Sequence, residues 1–478
     1  MIAMTLQEIA AYTGGVLQGG QGDTKVLSIV TDSRKIVPGC LFVALRGETF
    51  DGHQFAKRAL ADGAVGAVVL SSYKPESDGC YIYVEDPLLA LGRIASGYLH
   101  TYFPKLKKIA VTGSVGKTST KDMIAHVLSG KWKTCKTPMN FNNEIGLPMT
   151  LLGLEDGDEA LVTEMGMRGF GQIRYLTELV EQDFSVITNI GTSHLELLGS
   201  RENILRAKME ACFAGLGARM NKPYRLIVNG DNDLLQDTKL LRKIAKEYGC
   251  NHLVILPFGF GAKCAYRATD VRMDGMGMRF TLWCDQGHFS VYLPLLGEHN
   301  VYNALAAICA AVACGISVET AITQLSCWGE EASRQRLLHF TGVTVIDDTY
   351  NASPESMRAS LGVLEKLPAK HKIAVLGDML ELGSASQDGH LEIGGLAGAS
   401  CEYLIGVGTL AAGYCQGFAS VKGSSYCRVD KAEDAIALII EQCKALRASN
   451  ETVAILIKGS HSIHMERVTE GLSAYLNS

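Results

Sequence analysis

The 478-residue chain is too long for one ordinary core, and its length predicts about three domains. With 47% hydrophobic residues, 20% charged residues and a net charge of -5, it reads as a soluble globular protein with no basic field for a nucleic-acid partner. No run of 18 apolar residues predicts a membrane span, and no signal-peptide pattern opens the chain. The 14 cysteines form no Cys-x-x-Cys pair, and thiols such as Cys309 and Cys314 sit in apolar text, which predicts buried, reduced thiols in a cytoplasmic protein.

Along the chain, the stretch to residue 87 mixes strand-like runs, Leu41–Leu45 and Val65–Leu70, with a helical pattern from Gln54 to Asp62 between Gly52 and Gly63. After Asp86-Pro87 a helix is predicted over Leu88–Tyr102, ending before Pro104. From Lys108 the text alternates strand, loop and helix: strands at Lys108–Thr112, Ala160–Val162, Ser185–Thr188 and Leu226–Val228, with a helix from Lys117 to Leu128. Strands separated by helices predict a parallel sheet with crossover helices. The stretch from Asp270 to Leu296 reads instead as antiparallel strands with turns at Asp274-Gly275 and Asp285-Gln286-Gly287, followed by an Ala-rich helix over Asn300–Cys314. Polar text from Trp328 to Arg334 marks a second boundary. Strands at Val343–Ile346, Lys372–Leu376, Tyr403–Val407 and Thr452–Ile457 then predict a smaller doubly wound domain. The expected division is 1–87, 88–330 and 331–478.

The run Gly113-Ser114-Val115-Gly116-Lys117-Thr118-Ser119 lies between a predicted strand and a predicted helix. Glycines let the backbone curl so that successive N–H groups meet one anion, and the helix N-terminus adds partial positive charge. Lys117 supplies a cation for the β and γ phosphates of ATP, and the Thr118 hydroxyl is placed for Mg²⁺. The spacing Gly-x-x-Gly-Lys-Thr is shorter than the full phosphate-loop pattern, so the flanking strand and helix carry most of the specificity.

Beyond other predicted strands stand Glu164 and His194. A carboxylate at a strand's carboxyl end shares the sheet edge with the loop, which suits a metal role; taken alone, Glu164 reads as an exposed loop glutamate. A histidine such as His194 is evenly balanced between a structural role and a metal or phosphate role. Lys208 reads from its spacing as an ordinary helix lysine with ion-pair partners. Asp347 and Asp348 could hold a ribose hydroxyl or a metal-bound water, with Ser353 and Pro354 capping the next helix. His461 and His464, lacking a third ligand, read as a solvated face.

Several segments taken in order resemble the Mur ligases, the ATP-dependent amide-forming enzymes of bacterial cell-wall precursor synthesis. They are Thr31–Lys35, Leu41–Glu48, Phe50–His53, Thr112–Ser119, Asn140–Pro148, Gly297–Ala304, Asp347–Pro354 and Val375–Gly383. The resemblance implies a uridine-nucleotide-binding α/β domain, a central ATPase-type parallel sheet and a Rossmann-like last domain. It implies a cytoplasmic, monomeric enzyme with ATP and Mg²⁺ that joins D-alanyl-D-alanine to UDP-N-acetylmuramoyl-tripeptide through an acyl phosphate. Thr118 and Glu164 would then hold one Mg²⁺, with His194 and a CO₂-carbamylated Lys208 at a second. Asn300 and Asn303 would face the nucleotide, Arg334 the γ-phosphate and Asp348 the ribose. Ser33 and Arg34 would meet the uridine diphosphate, and Asn142 and Asn143 the substrate. Where His461 stands the family usually has arginine. The absence of an Asp-Asn-Pro-Arg segment argues against the member that adds the third amino acid, and about 110 residues before the loop argue against folylpolyglutamate synthetase. From another class, a nucleotide-dependent switch shares the loop and differs in making no amide.

Overall fold

The computed structural model describes residues 1–47, 49–75, 78–213, 223–328, 335–447 and 451–478. Besides a small antiparallel pair of Met4–Thr5 with Lys25–Val26, three larger α/β sheets follow one another along the chain. The first has five strands in the order Val16–Gln18, Tyr81–Val84, Gly66–Leu70, Cys40–Val43, Ser28–Val30; all pair in parallel except the Val16–Gln18 edge. The helical pattern predicted from Gln54 opens as a 3₁₀ turn, Gly52–Phe55, and becomes α-helical only over Ala56–Ala61.

The second sheet has nine strands. At its centre Lys107–Thr112 lies between Ala160–Glu164 and Phe184–Ile187, all parallel, with Thr134–Lys136 beyond one side and Tyr224–Asn229 and Leu253–Gly259 beyond the other. Along the central strand, side chains alternate faces: Ile109 and Val111 join one buried cluster and Ala110 the opposite one, the period of two that a strand imposes. Both faces are therefore covered, as a parallel sheet requires. The predicted antiparallel run is present as Tyr266–Asp274, Gly277–Cys284 and Gly287–Leu293, added to the edge of this sheet.

Six strands form the third sheet, in the order Arg336–Phe340, Val343–Asp348, Val453–Lys458, His371–Gly377, Tyr403–Val407, Tyr426–Val429. Only the first pair is antiparallel. The last long strand inserts between the second and third, so the winding reverses there, which opens a crevice at the carboxyl ends of those strands.

Helix Pro87–Tyr102 joins the first two sheets. It starts with Asp86 accepting the Leu88 and Leu89 N–H groups and Pro87 in the first turn. Its buried residues, among them Leu91, Ile94 and Leu99, belong to one apolar cluster that runs from Met4 to Leu253. The first sheet and one face of the central sheet thus share a continuous core. Among the described residues no helix is long and apolar enough to cross a membrane. The 14 cysteines are all free thiols, and all but Cys327 are buried or half-buried.

Candidate active site

Because the central strands run parallel, their carboxyl ends share one edge. Register pairs Val111 with Glu164 and Thr112 with Ile187, so the loop after Thr112, the Glu164 carboxylate and the Thr188-Asn189 segment lie at one level. Gly113 (φ +149°) and Gly116 (φ +80°) adopt conformations that favour glycine. A Cβ at Gly113 would also overlap the Thr188 hydroxyl. The loop is held by its neighbour strand: Asn189 Oδ1 accepts from the N–H groups of Ser114 (3.1 Å) and Val115 (2.9 Å). The Thr188 hydroxyl donates to the Val115 carbonyl at 2.5 Å. Neither residue stood out in the sequence except as text before His194. Lys117 folds over the curl, its Nζ donating to the carbonyls of Gly113 (2.9 Å) and Ser114 (3.2 Å).

Glu164 is not an exposed loop residue. It ends its strand at 2% exposure, because a central parallel strand is covered on both faces up to its last residue. Its Oε1 accepts from Asn142 Nδ2 at 2.8 Å, whereas Oε2 is buried with no hydrogen-bond partner. A buried, unpaired carboxylate oxygen is costly unless a cation meets it. Asn142 is thereby committed to Glu164, and Asn143 Oδ1 accepts the Ile145 and Gly146 N–H groups at the start of helix Gly146–Leu152.

Lys208 also departs from its reading as a solvated helix lysine: the helix Arg201–Met209 turns it inward to 2% exposure. Desolvation, reinforced by the charge of Lys117, drives its pKa well below the ordinary lysine value and favours the neutral amine. His194, in a left-handed conformation at φ +65°, is held down to about 4 by desolvation and by the charges of Lys208, Lys117 and Arg168. It is therefore a neutral imidazole near pH 7, the form that ligates metals. Lys117 and Lys208 both act on His194, and Lys117 on Lys208, so the fold has brought three widely spaced sequence positions together.

On the other side, helix Glu298–Ala313 presents Asn300 and Asn303 in its first turns. Asn303 Oδ1 accepts from the Thr120 hydroxyl at 3.1 Å and faces Gly116. Asn303 Nδ2 donates to Asn300 Oδ1 at 3.2 Å, and Asn300 Nδ2 donates to Gln335 Oε1 at 2.9 Å. In the third sheet the period of two separates the adjacent aspartates. Asp348 lines the cavity, while Asp347 turns away to Arg336 (2.6 Å) and Thr349 (2.8 Å). Ser353 caps the next helix with Pro354 in its first turn, as expected.

These groups surround one cavity of about 990 Å³ between the central and last sheets. Ser114 to Ser119, Asn142, Asn143, Glu164, His194, Asn300, Asn303 and Asp348 all line it. Gly113 and Lys208 stand behind that lining; Ser33 and Arg34 lie elsewhere, on a 3₁₀ turn where the exposed Arg34 pairs with Asp32 at 2.9 Å. Arg334 lies outside the described residues. Sequence reasoning missed Gln335, Lys458 and Glu355, which also line the cavity. His461 reaches it too, from an exposed 3₁₀ turn. Among the described residues no three His, Cys, Asp or Glu side chains converge on one point. The predicted metal set mixes Thr118, Glu164, His194 and Lys208, which fits a cation bound by few protein ligands plus phosphate oxygens.

Three family models match the chain: Mur ligase family, catalytic domain, over residues 25–98; Mur ligase middle domain over 111–311; and Mur ligase, glutamate ligase domain over 333–461. UDP-N-acetylmuramoyl-tripeptide--D-alanyl-D-alanine ligase of Bacillus subtilis is 40% identical over 399 residues, 82% of each chain. A crystal structure of MurF from Acinetobacter baumannii, 32% identical, superposes with a TM-score of 0.88 over 100% of this chain and 99% of that one. MurF ligase from Thermotoga maritima in complex with ADP, 28% identical, covers 94% of this chain and 98% of its own with a TM-score of 0.80.

Proposed function

The chain belongs to the Mur ligase family, and from that premise we propose that its cavity joins D-alanyl-D-alanine to UDP-N-acetylmuramoyl-tripeptide at the expense of ATP. The observation that carries this reading is the meeting, in one cavity, of the curled loop at Gly113–Ser119, the unpaired Glu164 oxygen and the neutral His194. The loop N–H groups and Lys117 cradle the triphosphate. The terminal carboxylate of the tripeptide attacks the γ-phosphate, ADP leaves, and the resulting acyl phosphate is attacked by the dipeptide amine. Amide formation releases phosphate.

The donor set fits Mg²⁺, since Glu164 Oε2 is a buried anionic oxygen without a partner. Thr118 and Glu164 would hold one ion, and His194 with a carbamylated Lys208 a second; bound there, Mg²⁺ neutralises charge on the phosphate oxygens. The neutral Lys208 amine is the form that adds CO₂, and the product is a carboxylate-like ligand. Asn300 and Asn303 brace the loop from the nucleotide side, and Asp348 with Lys458 bounds the cavity from the last sheet. Arg334 would meet the γ-phosphate, and Ser33 with Arg34 the uridine diphosphate of the substrate. Asn142 and Asn143, which line the cavity, would meet the substrate there. Closure of the last sheet over the loop would keep water from the acyl phosphate.

A monomer is the working unit that the family resemblance implies, and the free thiols support a reducing, cytoplasmic setting. Mass spectrometry of the product made from ATP, D-alanyl-D-alanine and UDP-tripeptides ending in diaminopimelate or lysine tests the reading. It predicts an amide product from at least one of them, with ADP release dependent on UDP-tripeptide. ATP hydrolysis indifferent to both substrates, with no amide, would mark a nucleotide switch instead.

A further inference from the structure

Glu355 sits in the first turn of helix Pro354–Lys366, on the last-sheet side of the cavity. A glutamate there ordinarily stays in water beside its own helix's N–H groups. This one reaches across to the central sheet. Its Oε1 accepts from the Thr192 N–H at 3.1 Å and from the Thr192 hydroxyl at 2.9 Å. The neighbouring Gly191 N–H donates to the Ser114 hydroxyl of the phosphate loop at 2.9 Å. A Cβ placed on Gly191 would lie 2.8 Å from Glu355 Oε1 and 3.3 Å from Ser114 Cβ, so only the width of a methyl group separates the carboxylate from the loop.

The second oxygen, Oε2, is buried and has no hydrogen-bond partner, although Glu355 lines the cavity. Arg201 feels the charge of Glu355, but its guanidinium donates to the Ile190 carbonyl and to Asp233. A carboxylate beside a triphosphate site repels the nucleotide and, with one oxygen unsatisfied, costs stability. Both penalties are offset if the partner of Oε2 is an N–H donor that becomes positive during the reaction. The attacking amine is such a donor.

We propose that Glu355 receives the incoming amine, its free Oε2 accepting a hydrogen bond from the nucleophilic nitrogen and then a proton as the amide forms. The inference deepens the ligase reading and rests on it. An α-amine with a pKa near 7.7–8.0 is partly neutral at physiological pH. The neutral nitrogen attacks the acyl carbonyl carbon, and the new C–N bond leaves it positive with two protons. One passes to Glu355, the C–O bond to phosphorus breaks with its electron pair on phosphate, and the carboxyl later returns the proton to solvent. Thr192 holds Oε1, which leaves Oε2 as the carboxylate oxygen without a partner.

Hydroxylamine separates this role from a purely structural one, because it is already neutral at pH 7 and attacks acyl phosphates without a base. With ATP and UDP-tripeptide, Glu355→Gln should trap hydroxamate and release ADP at close to the wild-type rate. With D-alanyl-D-alanine its amide formation should fall at least about 100-fold. The KM for ATP should stay unchanged. Glu355→Asp, a carboxylate drawn back by one methylene, should show the same split less severely and serves if the glutamine variant does not fold. Equal loss with both nucleophiles would reduce Glu355 to a tie between the two sheets, and no loss with either would remove it from the reaction. Should the wild-type enzyme release no ADP with UDP-tripeptide, the ligase reading itself falls, and this proposal with it.

Discussion

Lys458 and Asp348 are register partners on adjacent parallel strands and form a buried ion pair, Nζ to Oδ2 2.5 Å, at the carboxyl edge of the last sheet. The Ser360 hydroxyl donates to the same oxygen at 2.7 Å, and Lys458 also donates to the Asn351 carbonyl at 3.0 Å. The pair thus fixes both the strand end and the loop before helix Pro354–Lys366. Removing one partner leaves an uncompensated buried charge. Lys458→Met should lose about 3–5 kcal/mol of stability in urea unfolding, and the KM for ATP should rise. A variant with unchanged stability would show that the pair is dispensable.

Lys117 Nζ donates to carbonyls of its own loop, Gly113 and Ser114, and belongs to no buried apolar cluster. Lys117→Ala should therefore melt near the wild-type temperature while its substrate-dependent ADP release drops by about 100-fold or more. Near-normal turnover in a coupled ADP assay would remove the loop from the reaction.

Carbamylation of Lys208 predicts a dependence on dissolved CO₂. Degassed, bicarbonate-free buffer should lower activity, and bicarbonate should restore it. Lys208→Ala should be severely impaired and partly rescued by short carboxylic acids. Full activity of the variant, or indifference to bicarbonate, would exclude the carbamate.

A pH signature lies away from the cavity, where His371 bridges Glu402 (2.7 Å) and Glu451 (2.5 Å) and Lys370 also pairs with Glu451. Side-chain bonds to the two glutamates raise the His371 pKa above 6.5. The bonds from Lys370 and His371 pull Glu451 from 4.5 down to about 2. The histidine's share of stability is fully present below its unfolded value of 6.5 and fades as pH rises through the raised folded value. The Glu451 share is present above 4.5 and is lost as pH falls toward 2. His371→Leu should therefore lower the melting temperature most between about pH 4.5 and 6.5, and less at pH 9. A pH-independent difference would refute the linkage.

Much of the fold was legible because both α/β sheets around the cavity obey simple periodicities. The strand runs at Lys108–Thr112 and Val343–Ile346 fall within observed strands, and the helix predicted over Asn300–Cys314 matches the observed Glu298–Ala313. The edge strands Arg336–Phe340 and Tyr426–Val429 were missed because edges are half-solvated and lack a continuous apolar run. Glu164 and Lys208 show the sharper limit. Glu164 ends an apolar strand run and Lys208 sits in a charged helical stretch, and in both cases only tertiary packing buries the side chain. Glu355 was not singled out, since its cross-sheet bond to Thr192 spans 163 positions.

The continuous apolar cluster from Met4 to Leu253 has a consequence for how the protein comes apart. The first sheet cannot open without exposing the underside of the central one, so the two should form a single cooperative foldon. The last sheet, whose two clusters draw almost wholly on its own residues, should exchange its amides as a separate and less protected unit. Opening of that unit alone would bare the phosphate loop while leaving it intact. The enzyme could then trade ADP for ATP through partial unfolding events too small to register in a global melt.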